Sequence, residues 1–151
     1  MNLKIETRPS LQALMKKLGR DVDGGLRAGL TRLVEVIEGK AVKGAPVRTS
    51  NLANAISSSV DDDGEAGRVF VSGAAPYGEY VHFGTGIFGP RRQRIRPKKA
   101  RALFWPGAAH PVMSVAGMKA RPFLHDAARE TDISKEFERG ISSYLRGRTR
   151  A

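Results

Sequence analysis

A helical repeat of apolar residues is the feature that most limits how this chain can fold. The repeat follows the three- and four-residue spacing of one α-helical face, and its members are Val22, Leu26, Leu30, Leu33, Val34, Ile37 and Ala41. Asp21 or Asp23 can cap the start, while Gly44 and Pro46 end the pattern. Several glycines weaken the first turns, so we predict a long helix from Leu26 onward. A helix with one apolar face must cover that face with another layer.

A β-hairpin between Ile56 and Ser72 is predicted to supply part of that layer. The run Asp61-Asp62-Asp63-Gly64 favours a tight turn, because aspartate side chains bond the local backbone and glycine adopts positive φ. The returning strand covers residues 68–72. Just before the hairpin, Thr49 or Ser50 can cap a helical turn. Its inward-facing residues are Leu52, Ala55 and Ile56.

Shorter segments complete the predicted fold. Ser10 can cap a short helix that ends at Gly19, and Pro76 can begin another that Gly84 ends. Residues 102–105 and 112–115 are predicted strands that extend the hairpin into a small sheet. Pro122 can begin a further helix with Phe123, Leu124, Ala127 and Ala128 turned inward. After a new cap at Asp132, the last helix carries an apolar stripe of Ile133, Phe137, Ile141, Tyr144 and Leu145.

These elements predict an α+β fold in a single domain spanning residues 1–151. It combines a small antiparallel β-sheet with a long N-terminal helix and a C-terminal helix packed on one face, and with an extended basic loop. The chain has no cysteine, which excludes disulfides and thiolate zinc sites. It also has no apolar run long enough for a signal peptide or a bilayer span, so we expect a soluble protein.

Positive charge is concentrated in the C-terminal part of the chain. Of the formal charge of +11, residues 1–88 contribute +1 (11 Lys/Arg against 10 Asp/Glu) and residues 89–151 contribute +10 (15 against 5). A basic loop, residues 86–101, carries Arg91, Arg92, Arg94, Arg96, Lys98, Lys99 and Arg101. A basic tail, residues 146–151, is expected to be mobile and carries Arg146, Arg148 and Arg150. Such a field attracts polyanions. We weigh two interpretations of the basic loop equally: contact with a neighbouring subunit and proximity to DNA. A loop that is simply solvated is the less favoured alternative.

Candidate catalytic and metal-binding patterns are weak. Residues 84–89 match G-x-G-x-x-G, but Pro90 and the basic loop follow where a dinucleotide site needs a helix. The three histidines, His82, His110 and His125, lack the spacing of metal ligands. The acidic run at residues 61–65 lacks the spacing of a calcium loop. We therefore predict no enzymatic activity, no cofactor and no metal, and we interpret His82 as a packed or interface side chain.

Three sequence elements, in order, resemble a known family. Residues 45–56, beginning Ala45-Pro46-Val47-Arg48-Thr49-Ser50-Asn51-Leu52, resemble A-P-x-x-T-G-x-L…S-I, and residues 76–86 resemble Y-A-x-Y-V-E-F-G-T-G. Residues 121–127, Arg121-Pro122-Phe123-Leu124-His125-Asp126-Ala127, resemble R-P-F-L-x-P-A. The elements are typical of the gene-product-ten-like tail-completion and head–tail joining proteins of tailed double-stranded DNA phages. Ser50 replaces a usual glycine and His82 a usual glutamate. Ser50 can still cap a helix, whereas His82 removes a carboxylate that could form an interface salt bridge.

The resemblance implies a structural virion protein of a siphophage or prophage, assembled in the host cytoplasm and located in the tail or neck. It implies a homo-oligomeric ring, expected to be a hexamer, that contacts tail-terminator, tail-tube or head-connector proteins, with DNA in its lumen. Subunit or partner contacts are expected at Tyr77, Tyr80, His82, Phe83 and Thr85. The basic loop would face DNA, without base specificity, or a neighbouring subunit. The alternative is a small basic nucleic-acid-binding protein without an assembly role.

Overall fold

The chain forms two compact units in the computed structural model, which describes residues 1–6, 20–46 and 50–148. The first unit joins Met1–Pro76 to Phe123–Ala151, and the second comprises Tyr77–Pro122. The single domain remains a prediction, because compact units of this kind also occur within one domain. The short helix predicted from Ser10 lies outside the described residues.

A three-stranded antiparallel sheet forms one layer of the first unit. Its strands are β1 (Asn2–Glu6), β2 (Ile56–Val60) and β3 (Ala66–Val71), in the order β1-β3-β2. In register, Lys4 lies opposite Arg68 and Ser58 lies opposite Val69. The predicted hairpin is confirmed, and its turn contains Gly64 at a φ of 70°, in the left-handed region that favours glycine. The Gly64 N–H donates to the Asp61 carbonyl at 2.9 Å.

The prediction that two further strands extend the hairpin was wrong. Residues 102–105 and 112–115 do not join the sheet; Leu103 and Val112 instead form an isolated antiparallel bridge within the second unit. The hairpin is extended by β1 instead, which pairs with β3 on the side opposite β2. Prolines near these two segments also lack the N–H that a sheet requires.

The long helix covers the sheet, so the predicted α+β fold is confirmed. Helix α1 (Arg20–Gly44) contacts β2 and β3, and the short helix α2 (Asn51–Ala55) lies between α1 and β2 in sequence. The predicted apolar face is buried at Leu26, Leu30, Leu33, Val34, Ile37 and Ala41, and so are Leu52, Ala55 and Ile56. Val69 of the central strand is fully buried. Burial of these side chains is the main stabilising contribution in the unit.

Of the two predicted caps, Thr49 lies outside the described residues, and the side-chain cap at Ser50 is wrong. Ser50 has a left-handed backbone (φ 56°, ψ −9°) and makes no side-chain cap hydrogen bond; only its carbonyl accepts a bond, from the Asn54 N–H at 2.9 Å. A side chain is strained in this conformation, whereas glycine is not. The glycine of the resembled element is therefore the residue that this backbone geometry favours.

Two C-terminal helices complete the first unit, as predicted. Helix α4 (Phe123–Arg129) buries Phe123, Leu124 and Ala127, and helix α5 spans Ile133–Arg148. The Asp132 side chain caps α5 by accepting the Lys135 N–H at 3.0 Å. Both helices pack against α1.

Helix α1 begins at Arg20, earlier than predicted, because its glycines lie where α5 packs closely. A Cβ on Gly24 would come within 2.4 Å of the Tyr144 ring, and one on Gly29 within 2.8 Å of Phe137. A Cβ on Gly140 of α5 would in turn lie 2.6 Å from the Ala28 carbonyl oxygen. The glycines therefore allow two helices to pack at short range, which offsets their low helix propensity.

An ionic cluster links the same two helices. The Glu136 carboxylate of α5 accepts hydrogen bonds from Arg32 Nε of α1 at 3.0 Å and from Arg139 Nη1 at 2.5 Å. Desolvation raises the pKa of Glu136, but the two arginine hydrogen bonds outweigh it and hold the pKa below its usual range.

The second unit is held by backbone bonds between its start and its end. Helix α3 (Gly78–Phe83) stops at Gly84, which has a φ of 76°, and a 3₁₀ turn (Gly86–Phe88) follows. The Thr85 N–H donates to Met118 O at 2.9 Å, and the Ile87 N–H donates to Ala116 O at 2.8 Å. Residues 115–118 therefore hold the glycine-rich segment in place. Among the described helices, none combines the length and apolarity needed to cross a bilayer.

Candidate partner-binding surface

The second unit contains most of the protein's excess charge. Residues 77–122 contain nine Lys/Arg and a single acidic residue, Glu79, so their formal charge is nine minus one, or +8 of the total +11. The first unit contains the remaining 17 Lys/Arg and 14 Asp/Glu, a charge of +3. One carboxylate cannot neutralise nine cations, so this unit presents a strong positive field to its surroundings.

The basic loop presents its cations to solvent from a positioned backbone. All seven predicted loop cations are exposed. Ile95 exchanges two backbone hydrogen bonds with Val115, each 3.0 Å long, which anchors the middle of the loop. The Arg94 side chain is oriented by its Nε–H, which donates to Ser114 Oγ at 2.9 Å. The predicted extended loop is therefore tied to the rest of its unit.

A groove of about 690 Å³ lies between helix α3, the glycine-rich segment and the basic loop. The loop contributes Arg91, Arg94, Arg96 and Lys98 to its lining, and helix α3 contributes Glu79, Tyr80 and Phe83. The other three loop cations, Arg92, Lys99 and Arg101, do not line it. The structure thus divides the loop cations into a groove set and an outer set, a distinction that sequence reasoning missed.

Exposed apolar side chains concentrate on the same unit. Of the twelve large hydrophobic residues that are exposed in the described parts of the chain, ten belong to the second unit: Tyr77, Tyr80, Phe83, Ile87, Phe88, Ile95, Phe104, Trp105, Met113 and Met118. Three of the five predicted contact residues, Tyr77, Tyr80 and Phe83, are among them. An exposed apolar concentration of this kind is typical of an interaction surface.

The two other predicted contact residues have structural roles. His82 is only 2% exposed, and its ring packs edge-on against Phe83 with the ring centres 4.8 Å apart. The packed reading of His82 is therefore the one that the structure supports. Thr85 is half-buried, and its Oγ1 accepts the Met118 N–H at 2.9 Å.

Sequence reasoning missed the exposed residues around the Leu103–Val112 bridge. Phe104, Trp105 and Met113 were assigned to a sheet, yet they are 67%, 46% and 71% exposed. The available signal was the pair of prolines at positions 106 and 111, which favours a separate turn over a sheet strand.

The predicted basic tail is partly helical. Helix α5 continues through Arg148, and Arg146 Nε donates to the Ser142 carbonyl at 3.2 Å. Residues 146–148 of the predicted tail therefore belong to helix α5, and the mobility expected of the tail stays a prediction. Arg150 lies outside the described residues.

The glycine-rich pattern at residues 84–89 has a packing role. Gly84 and Gly86 both have positive φ, and a Cβ on Gly86 would clash with the Ala116 carbonyl. A 3₁₀ turn follows, where a dinucleotide site would have a helix. Among the described residues, no three His, Asp or Glu side chains group as metal ligands.

Comparison with known proteins places the chain in a family. No curated protein and no solved structure matches it. A family model described as "Bacteriophage HK97-gp10, putative tail-component" matches residues 10–84. The match includes the Ala45-Pro46 element and most of the Pro76–Gly86 element, and it ends before the basic loop. The chain therefore belongs to the HK97-gp10-like family of phage tail components and is a tail-related structural protein.

Proposed function

We propose that the protein is a ring-forming subunit at the head–tail junction or the head-proximal end of the tail. In this proposal double-stranded DNA passes through the lumen, and tail-terminator, tail-tube or head-connector proteins adjoin the ring, which is expected to be a hexamer. The observation that carries the proposal is the charge of +8 on the second unit, with Glu79 as its single carboxylate. Several such units around one axis form a positive annulus, which favours a polyanion in the channel.

The apolar surface supports the assembly part of the proposal. Tyr80, Phe104 and Met113 are each more than 60% exposed in the isolated chain. Burying such side chains against a neighbour contributes favourably to association, at about 25 cal/mol per Å² of apolar area before the costs of association. Aromatic residues and Met are also enriched at protein interfaces.

The sheet offers a second means of association. Strands β1 and β2 form the two edges of the described sheet. An edge strand can pair with an extended segment of another chain through backbone hydrogen bonds. A structural subunit can therefore use the first unit for contacts as well.

The proposal is tested in the phage or prophage that encodes the protein. Deletion of its gene is expected to leave DNA-filled heads and tails that fail to join, as seen by negative-stain microscopy of the lysate. Supplying the wild-type gene from a plasmid should restore joined particles. Joined, infective particles in the deletion strain would contradict the proposal.

The second candidate is a small nucleic-acid-binding protein without an assembly role, which the same charge of +8 favours. Free protein would then bind duplex DNA with a steep salt dependence, a slope of about −6 in log–log form if all seven loop cations contact phosphates. Mobility-shift titrations at rising salt distinguish the two, because an unassembled ring subunit binds DNA weakly. Tight, salt-sensitive binding by a strict monomer would favour this candidate.

A further inference from the structure

We infer that the groove of the second unit binds the acidic hairpin turn of a second copy of this chain. The acidic turn is defined here as residues 61–65, between β2 and β3 of the first unit. The inference deepens the proposed function and rests on its self-association, but not on the location of the ring in the particle.

The groove has the chemistry of an anion site with an apolar lining. Four cations line it, against the single carboxylate of Glu79. Arg94 is held by its bond to Ser114, so part of the site is ordered before a ligand arrives. Guanidinium groups form paired hydrogen bonds with carboxylates. Tyr80 and Phe83 add apolar contact area beside these charges. The volume of about 690 Å³ lies within the range of ligand-binding clefts and suits a few residues.

The acidic turn has the complementary properties. Four of its five residues are acidic, the densest negative stretch in the sequence. Asp62 and Asp63 are exposed. The turn is also rigid: the Glu65 N–H donates to Asp63 Oδ1 at 3.0 Å, and Arg27 donates to the Asp62 carbonyl at 3.3 Å. A preformed turn loses little conformational entropy on docking.

Duplex DNA is a poorer occupant of this groove. The aromatic lining of the groove has no stacking partner in a duplex, whose bases are already stacked. A carboxylate turn satisfies the cations and also contacts the apolar lining. When the groove set contacts a neighbouring subunit, the outer set (Arg92, Lys99 and Arg101) remains available to face the DNA path.

The contact joins two different surfaces, so it repeats head to tail. A head-to-tail contact closes into a ring when its rotation divides a full turn. One groove–turn contact per subunit therefore explains how a single chain could form a closed ring.

Charge reversal in the full-length protein tests the inference. Arg96→Glu places a carboxylate in the groove, and Asp62→Lys places a cation in the turn. Each single variant is expected to raise the apparent dissociation constant of self-association about tenfold or more, because like charges then meet. Analytical ultracentrifugation over a concentration series measures the constant. Arg121→Glu and Glu35→Lys are the matched controls, since they make the same charge changes at exposed positions outside the groove and the turn.

Mixing the two variants identifies the contact as intermolecular. An equimolar mixture pairs the intact groove of one variant with the intact turn of the other, and the two reversed surfaces with each other. Association is therefore expected to return to within about threefold of wild type, a difference under 1 kcal/mol. If the single variants associate as wild type does, or if the controls weaken association equally, the inference is overturned while the proposed function stands. Rescue only when both changes are in one chain would also overturn it, because the contact would then be within a chain. A wild type that stays monomeric, alone and with tail extract, overturns both.

Discussion

Gly140 is expected to be the least replaceable glycine of the helix pair formed by α1 and α5. An alanine Cβ there would lie 2.6 Å from Ala28 O and 2.7 Å from Gly29 Cα. Both are backbone atoms, so no side chain can rotate away. Restoring ordinary contact requires the two helices to separate by about 0.8 Å, which also weakens neighbouring dispersion contacts.

The expected magnitude of Gly140→Ala follows from two opposing effects. Alanine in a helix interior is favoured over glycine by about 1 kcal/mol. Overpacking in a close-packed contact costs about 1–3 kcal/mol. The net change in the free energy of unfolding is thus a loss of about 0–2 kcal/mol. Gly39→Ala is the control, because Gly39 is exposed on α1 and an added Cβ there meets nothing within 4 Å. Gly39→Ala should raise the free energy of unfolding by about 1 kcal/mol.

Urea unfolding followed by far-UV circular dichroism measures both variants. The difference between them isolates the packing cost, expected at about 1–3 kcal/mol, since the propensity gain is common to both. If Gly140→Ala is stabilised as much as Gly39→Ala, the close helix contact described above does not exist.

Three further outcomes are expected. Ser50→Gly should raise the free energy of unfolding by about 0.5–1 kcal/mol in urea titrations, because it removes left-handed strain but adds unfolded-state entropy; a lower stability would refute the strained backbone. Glu136→Gln should lower the stability of the protein at neutral pH and make that stability fall less as the solution is acidified. A carboxyl with a lowered pKa stabilises the fold above its unfolded pKa near 4.5, and this contribution is lost as pH falls through the folded value. Thermal melts across pH test this, and an unchanged acid profile would contradict it. Gly86→Ala should expose residues 77–122 to proteolysis through its clash with Ala116, while unfolding of the first unit stays near wild type; unchanged cleavage would contradict the tight contact.

The elements of the first unit could largely be predicted from the sequence because their signals are local. The spacing from Leu26 to Ala41 and the turn at Asp61–Gly64 each depend on neighbouring residues. Strand β1 was missed, although Leu3 and Ile5 alternate with polar residues, because its partner residues are at least 60 positions away. Local patterns do not say which strand occupies an edge.

The glycines of helix α1 show the same limit of prediction from local sequence. Gly24 and Gly29 reduce helix propensity, and a local reading therefore placed the helix start too late. Their contacts are with Tyr144 and Phe137 of a distant helix, which no local pattern reveals. Ser50 was one of two candidate caps because its residue type favours that role, whereas its left-handed backbone is a conformation that favours glycine.

The candidate surface could be predicted in composition but not in arrangement. Counting charges located the basic loop, and the aromatic segment located Tyr80 and Phe83. The division of the loop into groove and outer cations depends on the pairing of Ile95 with Val115, which is a tertiary contact. Burial of His82 likewise depends on packing that its sequence neighbours do not determine.

A density map of the intact particle tests the central claim most directly, because it locates residues 91–101 relative to the tail axis. The account predicts a ring of this protein near the head, with the groove cations against a neighbouring subunit and the outer cations near the DNA path. A map in which residues 91–101 lie on the outside of the particle and contact only solvent would contradict it.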